Sequence, residues 1–217
     1  MTIAPANLSR KAILWALAAA TSLLAMPFLP EAAAQTPPPT VWMRGTLVTV
    51  APTSLTFKNR SGEVIELVLP DNLVVNEVYP MTLDDIKPGS YIGTAAMPQA
   101  DGTQRAIGVS VFPETARGAG EGHRPFDLQP QSTMTNATVA DVSPLVGAPN
   151  GRALQLKYKD GEKTVVVSAD TPIVTSRPAD RSLLVPGASV SLFTRTIDGK
   201  PTAVRISAGR NGFLLPY

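Results

Sequence analysis

Three side chains able to bind a metal ion lie within seven residues of one another: Glu121, His123 and Asp127. An imidazole and two carboxylates form a transition-metal site when the fold holds them rigidly. Here they lie in a Gly-rich segment beside Arg117 and Arg124, whose positive charges repel a cation. We therefore treat a metal site as the minor alternative. The sequence favours ion pairs between the carboxylates and these arginines, with His123 hydrogen-bonded locally.

The same segment carries the residues that we expect to contact a ligand or partner protein: His123, Arg124, Phe126 and Asp127. Phe126, together with Pro125 and Leu128, is expected to bury apolar surface between the two halves of the chain. If these three side chains are exposed, they form a recognition patch instead. The sequence leaves open whether this segment is structural or functional.

Most enzyme classes need residues that this sequence lacks. The chain contains no cysteine and a single histidine, which excludes a thiol nucleophile. It has no G-x-S-x-G, Walker A or dinucleotide-binding motif. Asp84 and Asp85 are adjacent and are expected to be solvated residues of a helical turn. We therefore expect no enzymatic activity and no cofactor, and an envelope-glycan hydrolase using unrecognised carboxylates is a minor alternative.

The amino terminus is typical of a secretion signal, predicted over residues 1–34. Arg10 and Lys11 precede an apolar run, and Ala32 to Ala34 supply the small residues at a cleavage site. We expect a periplasmic protein whose mature chain has no membrane span and no lipidated cysteine. The formal net charge of +2 gives no broad basic surface, so we expect no nucleic-acid partner.

The rest of the sequence predicts an all-β fold. Short runs of β-branched and aromatic residues alternate with turn residues. Gly-containing pairs predict tight hairpins at Ser61-Gly62, Asp101-Gly102, Asp160-Gly161 and Asp198-Gly199. Thr82 followed by Asp85 predicts one helical turn. The predicted strands of the first half are Met43 to Val50, Ser54 to Asn59, Glu63 to Leu69, Tyr91 to Met97 and Gln104 to Phe112.

The two halves are related by an internal repeat. Leu55 to Lys58 matches Leu154 to Lys157, and three further turn anchors follow in the same order at an offset of 97 to 99 residues. We predict a Pro-rich leader at 35–41, repeat 1 at 42–114, a Gly/Arg/His linker at 115–134 and repeat 2 at 135–217. The linker is too polar and Gly-rich to predict a strand. Each repeat is expected to form a small OB-like β-barrel, with split β-sandwiches as the alternative.

The run from Gly120 to Pro130, and the run from Ser132 to Val139 after it, resemble a group of uncharacterised exported proteins from alphaproteobacteria. The resemblance extends over most of the chain after the signal, and the repeat units resemble a widespread domain of unknown function with an OB-like β fold. Members of that group are at times named metal ABC transporter permeases. The sequence contradicts such a role, because a permease needs several membrane spans. The resemblance supports the fold and the compartment, and it implies no catalytic residues.

We therefore expect a non-enzymatic periplasmic binding or scaffolding protein whose partner is another envelope protein or a polysaccharide. A soluble metal-handling accessory that uses the segment around His123 is the first alternative. OB-type barrels commonly bind extended ligands across one face of the sheet.

Overall fold

The computed structural model describes residues 39–148 and 150–216. The predicted signal at 1–34 and residues 35–38 of the predicted leader lie outside the described residues. All described residues belong to one compact unit. Within this part of the chain, no helix is long and apolar enough to cross a membrane.

The described residues form an all-β fold, as predicted, with thirteen strands and three short 3-10 turns. The 3-10 turns are Leu83–Asp85, Glu114–Ala116 and Arg181–Leu183. The strands are β1 (Val41–Val50), β2 (Ser54–Asn59), β3 (Val64–Val68), β4 (Val74–Met81), β5 (Tyr91–Pro98), β6 (Gln104–Val111), β7 (Gly122–Pro125), β8 (Thr133–Pro144), β9 (Arg152–Tyr158), β10 (Gly161–Val167), β11 (Ile173–Ala179), β12 (Ser189–Ile197) and β13 (Lys200–Gly209).

The predicted turns of the repeat are confirmed. The four Gly-containing pairs connect β2 to β3, β5 to β6, β9 to β10 and β12 to β13, and each connection joins antiparallel strands. Gly102, for example, has a φ of 85°, a conformation that a residue with a Cβ rarely adopts. The predicted helical turn is also present, because the Thr82 amide donates to Asp85 Oδ2 at 2.9 Å. Each of β1 to β6 thus has a counterpart among β8 to β13.

The strand pairing exchanges elements between the two repeats. β1 pairs with β12, while its counterpart β8 pairs with β5. The strand order is β10-β9-β8-β5-β6-β11-β4-β13-β12-β1-β2-β3, and further pairings join β10 to β6 and β13 to β3. The first and third strands of each repeat therefore form hydrogen-bonded ladders with the last two strands of the other. The pairing crosses the predicted boundary between repeats 1 and 2.

Two apolar clusters follow the same exchange. The first contains Phe57 and Leu67 from repeat 1 together with Leu192 and Ile206 from repeat 2, all fully buried. The second is formed mainly by β5, β6, β8, β9 and β10, and includes the fully buried Leu154 and Leu156. Burial of these side chains is the main stabilising term, since the chain has no cysteine to form disulfides.

β4 and β11 join the two groups of strands. They pair with each other in an antiparallel manner, and each also pairs in parallel with a strand of one group: β4 with β13 and β11 with β6. Glu77 of β4 is buried at this junction. Its carboxylate accepts hydrogen bonds from Arg177 at 3.0 and 3.1 Å and from Arg210 at 3.0 and 3.1 Å. These bonds hold a carboxylate charged in a position where an unpartnered one would be destabilising.

The linker differs from its prediction in one respect. β7 lies within residues 115–134 and pairs with β8, so the expectation that this segment forms no strand is wrong. Gly122 and Pro125, at the two ends of β7, have low strand propensity, so the sequence did not predict a strand here. Pairing with the edge of β8 supplies the hydrogen bonds that a short strand needs.

Candidate functional site

A cleft of about 520 Å³ lies over the middle of the sheet and is lined by strands of both repeats. Hydroxyl side chains line it from β6, β11, β12 and β13: Ser110, Thr175, Ser176, Ser191 and Ser207. The alternation of strand side chains accounts for Ser110, Ser191 and Ser207. Val109, Leu192 and Ile206, each next to one of these serines, point into the apolar clusters.

Aromatic side chains form one wall of the cleft. The Trp42 ring stacks on Phe126 with the centroids 5.4 Å apart, and Phe193 lies 6.4 Å from Trp42 on a neighbouring strand. The indole Nε1 of Trp42 donates to Ser191 Oγ at 2.6 Å, which fixes the orientation of the ring. The wall therefore presents flat apolar faces next to hydroxyl groups.

A short segment crosses from β7 to this wall. We call residues 125–127 the strap. Its Phe126 amide donates to the Ser132 carbonyl at 2.8 Å, and the buried Ser132 hydroxyl donates back to the Phe126 carbonyl at 2.9 Å. Pro125, Phe126 and Asp127 all line the cleft. The strap thus links β8, on which β7 is anchored, to the side chains of β1.

Arg44 of β1 holds the far end of the strap. Its Nη2 donates to Asp127 Oδ1 at 2.5 Å, and its guanidinium carbon lies 4.2 Å from the Trp42 ring centroid and 5.3 Å from that of Phe126. The Arg44 side chain is only 9% exposed, whereas that of Asp127 is 69% exposed. The buried Arg44 Nη1 has no hydrogen-bond partner among the described residues. A buried, under-satisfied guanidinium is costly and favours an added acceptor.

A second arginine lies near the same ion pair. Partial burial and the charge of Arg44 lower the pKa of Arg60, while the Asp127 carboxylate acts in the opposite direction. The Asp127 carboxylate therefore acts electrostatically on two guanidinium groups. Arg124 is exposed and lines the cleft, and it donates to the Gly120 carbonyl at 2.8 Å.

A second depression, of about 650 Å³, adjoins the cleft. It is lined by Tyr79, Thr82 and Asp85 among others, and it shares Val111, Thr175 and Ser176 with the cleft. The two spaces thus meet where β6 ends beside β11.

The predicted site residues are only partly brought together. Arg124, Phe126 and Asp127 line the cleft, whereas His123 lies beside it, with Nδ1 hydrogen-bonded at 2.8 Å to Thr135 Oγ1. Burial, and to a smaller extent the charge of Lys163, lower the pKa of His123.

The possible metal ligands have separate partners. Glu121 accepts a hydrogen bond from the Lys159 amide at 3.0 Å, His123 bonds to Thr135, and Asp127 pairs with Arg44. Within the described ranges, no cluster of three or more metal-ligating side chains occurs.

The predicted pairing of the carboxylates with nearby arginines is wrong. Arg117 pairs with Glu114 at 2.5 Å, and Arg124 bonds to a backbone carbonyl. Asp127 instead pairs with an arginine 83 positions away along the chain. Sequence proximity was a poor guide because the strap crosses to another strand.

The sequence reasoning did not identify Trp42, Arg44, Ser191 and Ser207. One signal was present: a polar side chain alternates with buried apolar ones on β12 and β13. Many solvent-facing strands show the same alternation, so it does not by itself indicate a cleft.

Comparison with protein-family models, with curated proteins and with solved structures finds no match to this chain. The geometry of the cleft is therefore the main indication of function.

Proposed function

We propose that this chain is a non-enzymatic, exported binding protein that holds an extended polysaccharide in the cleft. The observation that carries the proposal is the aromatic wall of Trp42, Phe126 and Phe193 beside a row of strand hydroxyls. Ligand sites combine apolar and aromatic surface with a few placed polar groups. A sugar ring presents both kinds of surface, because its C–H groups pack on an aromatic face while its hydroxyls donate and accept hydrogen bonds.

The proposed architecture is two OB-like barrels that exchange strands. The five strands β1, β2, β3, β12 and β13 would form one, and β5, β6, β8, β9 and β10 the other. The pairings of Thr202 with Val68 and of Val165 with Gln104 support closure of each group. OB-type barrels bind oligosaccharides across a sheet face. Export to the periplasm is proposed from the signal predicted over residues 1–34.

A polysaccharide fits the cleft better than a folded envelope protein does. The cleft of about 520 Å³ has the size of a small-ligand site, whereas protein partners commonly bury about 800 Å² per partner. A short stretch of a glycan chain fits a site of this size.

Hydrolysis of the glycan is not proposed. Glycosidases use two carboxyl groups that flank the scissile bond. Among the described residues that line the cleft, Asp127 carries the sole carboxylate, and it is paired with Arg44. Asp84, one of the carboxylates noted in the sequence, pairs with Arg152 at 3.2 Å outside the cleft.

The proposal is tested by titrating the protein with oligosaccharides. Trp42 is the sole tryptophan after residue 34, so its fluorescence reports directly on the cleft wall. Trp42→Ala should weaken binding by roughly thirtyfold, since a buried aromatic contact contributes about 2 kcal/mol. Trp42→Phe is the matched control, which keeps an aromatic face and should lose much less. Calorimetry provides the readout for both variants.

Two results would contradict the proposal. One is the absence of binding to both neutral and acidic oligosaccharides at millimolar concentration. The other is binding that Trp42→Ala leaves unchanged while the variant is folded, because the ligand would then lie outside the cleft.

A further inference from the structure

The charges around the strap do not balance. Among the described residues, Asp127 is the carboxylate that pairs with Arg44 and acts electrostatically on Arg60, while the exposed Arg124 lines the cleft and donates to a backbone carbonyl. Two guanidinium groups thus act on one carboxylate at the aromatic end of the cleft, and a third arginine lines the cleft from β7. Such an excess attracts an anionic ligand and favours its binding over that of a neutral analogue.

The surroundings of the Arg44 guanidinium are suited to binding a carboxylate. It is nine-tenths buried, and the faces of Trp42 and Phe126 lie beside it. One of its terminal nitrogens already binds a carboxylate oxygen of Asp127, while the buried Nη1 has no acceptor. The planar guanidinium can donate two parallel hydrogen bonds to one carboxylate. The existing pair uses half of that capacity.

Asp127 is suited to be displaced. It is mostly exposed and lies on the strap, which is anchored at its other end through β7 and Ser132. Arg44, by contrast, is fixed in β1. A carboxylate that arrives from the cleft can replace Asp127 at the cost of one partly solvent-exposed ion pair.

We propose that the cleft binds a glycan that carries carboxylate groups, and that one of these groups replaces Asp127 at Arg44. Asp127 thus acts as an internal mimic of the ligand's carboxylate and holds the strap in place until a glycan binds. This inference rests on the proposed function and adds the chemical class of the polysaccharide, an acidic glycan of the uronate type.

The experiment compares hexagalacturonate with its carboxyl-reduced counterpart, which has the same sugar ring without the charge. The full chain after residue 34 should bind the acidic hexasaccharide at least about tenfold more tightly, as expected for one additional charge-assisted hydrogen-bonded pair. Arg44→Gln should abolish this preference, so that the two hexasaccharides bind equally.

Asp127→Asn separates the inference from a purely structural role of the ion pair. Removal of the competing carboxylate should increase the preference for the acidic sugar over the neutral one several-fold. A merely structural Asp127 would give weaker binding of both sugars. This variant also keeps the inference testable if Arg44→Gln fails to fold.

The outcomes distinguish the two proposals. Equal binding of the two hexasaccharides would overturn the acidic-ligand inference and leave the polysaccharide function intact. Binding of neither would overturn both. Weaker binding of the acidic sugar to Asp127→Asn would overturn the displacement of Asp127 by the ligand.

Discussion

Division of the chain at the predicted boundary between its repeats should abolish folding of each part. We consider residues 39–114, which contain β1 to β6 and lack β12 and β13. In the intact chain, β1 pairs with β12 along Val41 to Thr46, and β4 pairs with β13. The isolated fragment would expose both edges and the apolar face beneath them.

The magnitude follows from the composition of the first apolar cluster. Eight of its fourteen buried residues come from repeat 2. Five of these are large, and burial of each contributes about 1.5–3 kcal/mol, so the fragment loses roughly 8–15 kcal/mol. A whole domain is stable by only about 5–15 kcal/mol. The five large residues are Leu183, Leu184, Val190, Leu192 and Ile206.

The assay is the amide NMR spectrum and thermal unfolding of residues 39–114 and 115–216, first apart and then mixed. Each fragment alone should give poorly dispersed amide resonances, and the mixture should recover the spectrum of the intact chain. A chain nicked at Gly118 after folding is the control, and it should stay folded because the exchanged strands hold both parts. A cooperative thermal transition in either fragment alone would refute the reasoning.

Three further predictions concern single residues. Gly45→Ala should destabilise the fold by about 3 kcal/mol in urea unfolding, because a Cβ would lie 2.0 Å from the Lys58 carbonyl oxygen; an unchanged midpoint would contradict this. Hydrogen bonds from Arg210 lower the pKa of Glu77. The ionised Glu77 carboxylate therefore stabilises the fold above pH about 4.3, its pKa in the unfolded chain, and this stabilisation is lost as the pH falls through its lower pKa in the folded protein. Thermal unfolding measured over this pH range should show a weaker pH dependence for Glu77→Gln. His123 should titrate by NMR below the usual value of about 6.5; a higher midpoint would contradict its burial.

The local structure could be predicted from the sequence because turns are encoded locally. The predicted strand Ser54 to Asn59 coincides with β2, and the hairpin pairs lie where β2–β3 and β12–β13 turn. β4 and β11 were not predicted as strands. Pro80 and Glu77 interrupt the apolar pattern of β4, and the burial of Glu77 depends on arginines that are distant in sequence.

The exchange of strands could not be predicted in this way. Because the repeats are equivalent, β5 presents to β1 the same kind of edge as β12 does. Val41 pairs with Thr194, whereas the repeat-internal alternative would be Ala96 at the offset of about 98 residues. A periodic pattern indicates that a strand pairs, and it does not indicate with which copy.

The sequence predicted only those site residues that lie close together along the chain. Arg124, Phe126 and Asp127 drew attention because they form an unusual cluster in one linker. Trp42 and Ser207 lie on separate strands and come together only through the exchange. Their roles follow from tertiary structure alone.

The exchanged strands also determine when this protein can fold during its synthesis. β1 finds its partner 153 residues later, in the pair of Val41 with Thr194. Multidomain chains commonly fold from the amino terminus while the ribosome is still adding residues. Here the early segment β1–β3 is a small meander with marginal stability of its own, so it must wait for nearly the whole polypeptide. Contacts so distant in sequence slow folding, and they keep the nascent chain open until its last strands emerge.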